Sequence, residues 1–336
     1  MVRTWNVKGR GKVNDETVIS SKYFIVNNCV SCGWGLHEEP NRLLIKDFES
    51  YKQKWKSLYE PKKKWGYQGV HHLFERVKKG DFLWTRLDGY YYVAEVPDDP
   101  IKLFQIDLSS EARKYDASIQ LKNIKWKKVG KEDSVPGSIS SFTSNRNPIV
   151  RVDNKEIEVN GYRASGLFSK QCLNPTFSFK LKDKSQYLYL IGPSGFEDLV
   201  ALWLYDKFNY VVIPSTSKRS TQKYEFVLLD GTKTNYGYSS SKRICIQTKN
   251  GTNNLKLSDY EKLLDEEYEL WLVTSRGKIY DENNNLLEES ILCCNKTANG
   301  LIKSQYSLNE LLEFAFDKKN SPILSKSLNK WREFFN

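Results

Sequence analysis

Ser194-Gly-Phe-Glu-Asp-Leu-Val200, Tyr224-Glu-Phe-Val-Leu-Leu-Asp230 and Ile244-Cys-Ile-Gln-Thr-Lys-Asn250 are three apolar pieces of one continuous stretch, and their periodicities decide the fold. In the first, Phe196, Leu199, Val200, Trp203, Leu204 and Phe208 recur at the spacing of one helical face, with Ser194 placed as N-cap. The other two have the length and apolar content of strands. The segment between them opens with Asp230-Gly231 and is rich in Ser, Thr, Asn and Gly, which predicts a turn-bearing connection. Side chains two apart share a strand face, so Gln247 and Lys249 point one way while Ile244, Ile246 and Thr248 point the other. A lysine in an otherwise buried strand is costly without a partner. Glu225 on the neighbouring strand is the first choice, and Glu197 at the helix start could close the group.

Helix, acidic strand and Gln-x-Lys strand together resemble the PD-(D/E)xK nuclease fold, most closely the Mrr-like restriction endonucleases with their Gln-x-Lys variant. By position, the resemblance implies that Glu225 is the metal-binding acid, Gln247 and Lys249 are the Gln-x-Lys pair, and Glu197 is the acid of the first helix. It further implies Mg²⁺ as cofactor, held by Glu225 and Glu197, and hydrolysis of a phosphodiester bond. The family's central acid is usually Asp. Glu225 is one methylene longer, and Asp230, of opposite strand parity and at a turn, is the other choice. The same residues also fit plainer readings: Ser194-x-x-Glu197 is a capping-box pattern, and a strand Glu and Lys can form a cross-strand ion pair.

The chain has 336 residues, enough for two domains with separate cores. Hydrophobic residues make up 39% and charged residues 28%, a balance that excludes a disordered chain. Lys and Arg exceed Asp and Glu by 52 to 41, and the resulting +11 favours a polyanionic partner through counterion release. No apolar run approaches the ~20 residues that cross a bilayer, and Met1 to Lys8 lacks the apolar core of a signal peptide, so the expected location is cytoplasmic. Six cysteines then read as reduced thiols. Cys29 and Cys32 form a lone Cys-x-x-Cys near His37, with no second pair at zinc-site spacing.

Upstream, Ser20 to Cys32 reads as a strand and loop, Leu44 to Tyr59 as a helix, and Val70 to Lys79 as a short amphipathic helix. Gly80-Asp81-Phe-Leu-Trp-Thr-Arg86, then Asp88-Gly89, then Tyr90-Tyr-Tyr-Val-Ala-Glu-Val96 predict a hairpin with an Asp-Gly turn. A Gly-Asp-hydrophobic strand returning as an aromatic strand resembles the PUA-like barrels, particularly the EVE and YTH-type readers of modified bases. That resemblance implies a mostly-β PUA-like barrel in residues 1–165. The resemblance to the Mrr-like nucleases implies that residues 166–336 form an α/β nuclease domain, a mixed sheet with flanking helices completed by strands at Tyr268 to Thr274 and Ile291 to Cys294 and helices at Ser307 to Phe316 and Ile323 to Phe335. A base read in a pocket leaves the stack and takes an aromatic face in exchange. Trp34, Trp84, Tyr90 and Trp65 are the candidate nucleic-acid-binding residues. The expectation is a modification-dependent DNA restriction endonuclease acting on double-stranded, methylated DNA as a homodimer. A non-catalytic nucleic-acid-binding module and a restriction enzyme reading an unmodified sequence are the alternatives, and the sequence leaves the choice of DNA or RNA open.

Overall fold

The computed structural model describes residues 1–36, 45–59, 68–141, 147–153, 156, 158–159, 161–177, 179–216, 224–235, 237–238, 242–266 and 268–335. Contacts divide the chain into two units, Met1–Ser178 and Phe179–Asn336. The mixture of helices and mixed sheets matches an α/β chain.

The N-terminal unit is built on β1 (Thr4–Val7), whose four residues are all buried. After it come α1 (Ser20–Asn27), β2 (Val30–Ser31) and α2 (Phe48–Tyr59). The segment predicted as strand and loop is therefore a helix before a two-residue strand. Its Tyr-Phe-Ile-Val run has strand propensity, but Ser21 N–H donates to Gly9 O at 3.1 Å, and Tyr23 and Phe24 enter the core. Tertiary contact overrides local preference here. The short helix expected at Val70 to Lys79 is one α turn, Gln68–His71, followed by a π-helical turn, His72–Arg76.

The hairpin forms as β3 (Phe82–Leu87) and β4 (Tyr90–Glu95). Asp88 and Gly89 take φ of 49° and 78°, the left-handed pair that suits the twist of a two-residue turn. Four further strands follow: β5 (Phe104–Ile106), β6 (Ile119–Leu121), β7 (Lys127–Gly130) and β8 (Ile149–Arg151). They complete two open sheets, of order β8-β1-β3-β4-β7 and β2-β6-β5, with no barrel closure among the described residues. One face of the larger sheet packs Trp5, Val7, Leu83 and Ala94 into the main core with α1 and α2. On the other face lies α3 (Ala164–Leu173), where Trp84 Nε1 donates to Ser169 Oγ at 2.8 Å. That helix belongs to the N-terminal unit, so the division falls after residue 178, a short way beyond the limit expected near 165.

The C-terminal unit begins with α4 (Tyr187–Leu190) and α5 (Gly192–Phe208). Its sheet contains β9 (Tyr210–Val212), β10 (Phe226–Asp230), β11 (Arg243–Lys249), β12 (Glu269–Thr274), β13 (Ile291–Thr297) and β14 (Gly300–Tyr306), hydrogen-bonded in that order. A short helix, α6 (Glu261–Asp265), connects β11 to β12, which makes these two neighbours parallel; the other four pairings are antiparallel. Helices α7 (Leu308–Phe316) and α8 (Lys326–Arg332) end the chain. Ser307 and Glu310 form a reciprocal capping box at the start of α7.

The sheet buries both faces. On one, Trp271 lies 5.8 Å from Trp203 of α5 and stacks on Tyr306 at 5.0 Å. On the other, Val227, Cys245, Leu270 and Leu272 pack with Leu263 and Leu264 of α6.

Candidate active site

The antiparallel register sets Phe226 opposite Ile246, and Glu225 N–H donates to Ile246 O at 2.8 Å. Glu225 therefore stands beside Gln247 on the α6 side of the sheet, and Lys249 shares that face by the two-residue repeat. Gln247 Nε2 donates to Glu225 Oε1 at 2.9 Å and to Thr248 O at 3.0 Å. Lys249 Nζ lies 3.5 Å from the same carboxylate oxygen. Gln247 is 2% exposed, whereas the Glu225 and Lys249 side chains are 26% and 40% exposed. A buried amide thus aims a carboxylate at solvent, with an ammonium beside that carboxylate. Glu225 Oε2 accepts no hydrogen bond from the described residues, which leaves one carboxylate oxygen open. Tyr260, 7% exposed, borders the group; its phenol is pushed up to about 12 by burial, then by the negative charges of Asp259 and Glu225.

Asp230 is at the other end of this strand. Five residues at ~3.4 Å each put it roughly 17 Å along β10 from Glu225, and its Oδ1 accepts from Thr232 N at 2.9 Å, closing a turn. Glu225 is the acid that adjoins Gln247 and Lys249. Glu197 lies in the second turn of α5, and α5 covers the Ile246 and Trp271 face, opposite the one carrying Gln247. Ser194 is not the N-cap. The helix starts two residues earlier, at Gly192 with Pro193 in its first turn, and α4 leads almost directly into it, so the capping box read from Ser194 and Glu197 does not start this helix.

Among the described residues, no three His, Cys, Asp or Glu side chains form a group able to hold a metal. The donor set at Glu225 is of a different kind: one open carboxylate oxygen reaching solvent beside an amide. It fits Mg²⁺, which takes one or two protein carboxylates and keeps several waters. Glu269, which the sequence reading passed over, is an acid buried in this sheet. Its Oε1 accepts from Trp271 Nε1 at 2.7 Å and from Tyr210 OH at 3.0 Å, and its Oε2 lies 3.5 Å from Lys242 Nζ. These bonds make it a structural carboxylate.

The candidate base-stacking residues are dispersed. Trp84 is 1% exposed and bonded to α3, so its indole is core. Trp34, half-buried with φ of 63°, packs edge-on against Trp55 at 5.7 Å. Tyr90 carries the Lys128 ammonium 3.4 Å from its ring centroid. Trp65 lies outside the described residues, as does His37. The N-terminal unit instead holds a cleft of about 360 Å³ where β1 and β3 part. β1 pairs with β3 only as far as Asn6 and Trp84, and beyond that Thr85 to Leu87 have no strand on that side. Trp84, Lys8, Arg10, Arg86, Asp88 and Tyr91 are among its lining residues. Sequence alone gave no signal for this cleft, because it depends on where two strands cease to pair.

No protein-family model, curated protein or solved structure matches the chain.

Proposed function

We propose that the chain is a modification-dependent DNA endonuclease, with a phosphodiesterase centre at Glu225, Gln247 and Lys249 and a base-reading cleft in the N-terminal unit. The observation that carries this reading is the shared Glu225 Oε1, which takes both the buried Gln247 amide and the Lys249 ammonium while the second oxygen accepts no bond among the described residues. A carboxylate needed only for an ion pair does not require a buried amide to aim it. Glu225 would hold Mg²⁺ through Oε2, with the Gln247 amide beside it, while Glu197 stands in the α5 layer across the sheet. When bound, the metal polarises a phosphate and lowers the pKa of a water. Lys249 places its charge where negative charge gathers on the phosphate, an effect worth roughly 100-fold or more in rate.

The cleft supports the reader half of the proposal. Its volume is at the small end of the ligand-pocket range, about 300–1,000 Å³, which suits one flipped base. Lys8, Arg10 and Arg86 supply cations for flanking phosphates. A PUA-like reader role for this unit, double-stranded DNA as partner and a homodimer delivering two cuts all belong to the same proposal. The test is cleavage of plasmid DNA in Mg²⁺ by the wild type and by Glu225→Ala. The wild type cuts, and the variant binds DNA without cutting. A wild type that binds and never cuts under any divalent ion sinks the nuclease reading.

A further inference from the structure

The parallel strands β11 and β12 end side by side, with Lys249 opposite Thr274, and a small clasp of polar groups locks the two ends. Ser275 N–H donates to Lys249 O at 3.1 Å, Ser275 Oγ donates to Asn250 Oδ1 at 2.8 Å, and Gly251 N–H donates back to Ser275 Oγ at 2.9 Å. Asn250 Nδ2 then donates to Leu188 O of α4 at 2.9 Å. Just beyond, a Cβ on Gly277 would lie 2.0 Å from Asn253 O, so the backbone there passes too close for any other residue. The residue between the clasp and this tight passage is Arg276.

Arg276 is exposed, and its guanidinium carbon lies 4.0 Å from the centroid of the Tyr189 ring on α4. Among the described residues it forms no ion pair. Its neighbours do: Lys249 pairs with Glu225 and Lys278 with Glu289. Here an aromatic face occupies the place that an acid takes elsewhere. A guanidinium resting on a ring keeps its fork of N–H donors for a planar or tetrahedral oxyanion, and Arg, unlike Lys, binds phosphate through two of them at once. Ligands of open α/β sheets also gather outside the carboxyl ends of the strands, which is where Lys249 and Arg276 both stand.

We infer that Arg276, backed by Tyr189 and fixed to the end of β11 by the Asn250–Ser275 clasp, grips a DNA backbone phosphate flanking the one at Lys249. This rests on the nuclease reading for its ligand, but it is a statement about binding and is measured without cleavage. The experiment is fluorescence anisotropy of the full chain on duplex DNA in EDTA, from 50 to 200 mM salt. Loss of one phosphate contact in Arg276→Ala lowers the slope of log K against log salt by about 0.9, and lowers affinity roughly eightfold at 0.1 M salt. The loss is equal for all sequences tested. Arg276→Lys keeps the slope with weaker binding, and Tyr189→Leu weakens binding roughly twofold to fivefold with the slope retained. Arg276→Ala with the wild-type slope and affinity overturns the inference, as does a slope change seen with duplex RNA but not with DNA. A wild type that binds no DNA overturns it together with the nuclease reading, whereas a wild type that binds and does not cut sinks the nuclease reading alone.

Discussion

Asp81 in the N-terminal unit and Glu225 in the C-terminal unit are both carboxylates at the start of a strand, and they differ in how completely they are bonded. Asp81 is 2% exposed, and both its oxygens are used: Oδ1 accepts from Arg3 N at 2.9 Å, and Oδ2 accepts from Trp5 Nε1 at 2.8 Å and from Lys78 N at 3.0 Å. Burial pushes its carboxyl above the usual range, and the three donors pull it back only in part. Glu225 reaches solvent and has one oxygen engaged and one open. A saturated carboxylate ties backbone segments together, whereas an open one at a surface can take a ligand. The sequence feature that suggested a reader, Gly80-Asp81, is thus a latch between β1 and β3.

The sharpest way to break this contrast is to exchange the consequences of removing each acid. Lys249→Ala and Glu225→Ala should each lower cleavage by 100-fold or more. Lys249→Ala should change unfolding free energy by less than about 1 kcal/mol, because the pair is partly exposed and screened, and Glu225→Ala should cost about 1 kcal/mol more, because one N–H of the buried Gln247 amide loses its acceptor. Asp81→Ala should do the reverse, costing about 3 kcal/mol by leaving a buried indole N–H and two backbone N–H groups without acceptors. Chemical denaturation and a cleavage assay on the wild type and these three variants separate the cases. A Glu225→Ala protein destabilised as much as Asp81→Ala would make Glu225 structural.

Asp116 offers an intermediate case. It sits against Gly11 and Gly33, and burial raises its pKa to about 6, opposed only by a hydrogen bond from the Lys12 backbone. With a folded pKa above the unfolded value of about 3.9, its stabilising contribution is complete below pH 4 and is lost as pH rises through 6. Asp116→Asn should therefore raise stability at pH 7 by about 1–2 kcal/mol and flatten the pH dependence between 4 and 6, as read by thermal melts across that range. A variant less stable than wild type at pH 7 would show that the charged form is wanted. The smallest effect is expected at Asp230, where Ala removes a turn bond and should leave cleavage within about twofold and stability within about 1 kcal/mol. Loss of activity there would restore it as the central acid.

What the sequence disclosed follows from periodicity. The Glu225, Gln247 and Lys249 group was legible because strand residues alternate strictly, and the Asp88-Gly89 hairpin because few residue pairs tolerate two left-handed conformations. Strand β14 was not legible: Gly300 to Gln305 are all exposed, so no alternation marks them. Helix α1 was misread because its β-branched run is overridden by packing of Tyr23 and Phe24, and the domain limit was legible only coarsely because α3 looks like a linker until Trp84 is seen to bond Ser169. Aromatic residues carry no sign of whether they fill a core or face a ligand. Trp84 and Trp34 therefore looked alike in sequence, though one is core and the other half-buried, while Arg276 and the clasp around Ser275 follow from strand pairing alone.

The central claim is that an open carboxylate at Glu225 serves a nuclease guided by a modified base. Its most direct test is Mg²⁺-dependent cleavage of matched duplexes with and without N6-methyladenine, 5-methylcytosine or 5-hydroxymethylcytosine, by the wild type and Lys249→Ala. The account predicts that the wild type cuts one modified duplex at least about fivefold faster than its unmodified match, since a buried methyl alone contributes about 1 kcal/mol, and that Lys249→Ala cuts none. Equal cutting by Lys249→Ala, or no cutting of any duplex by the wild type, would contradict it.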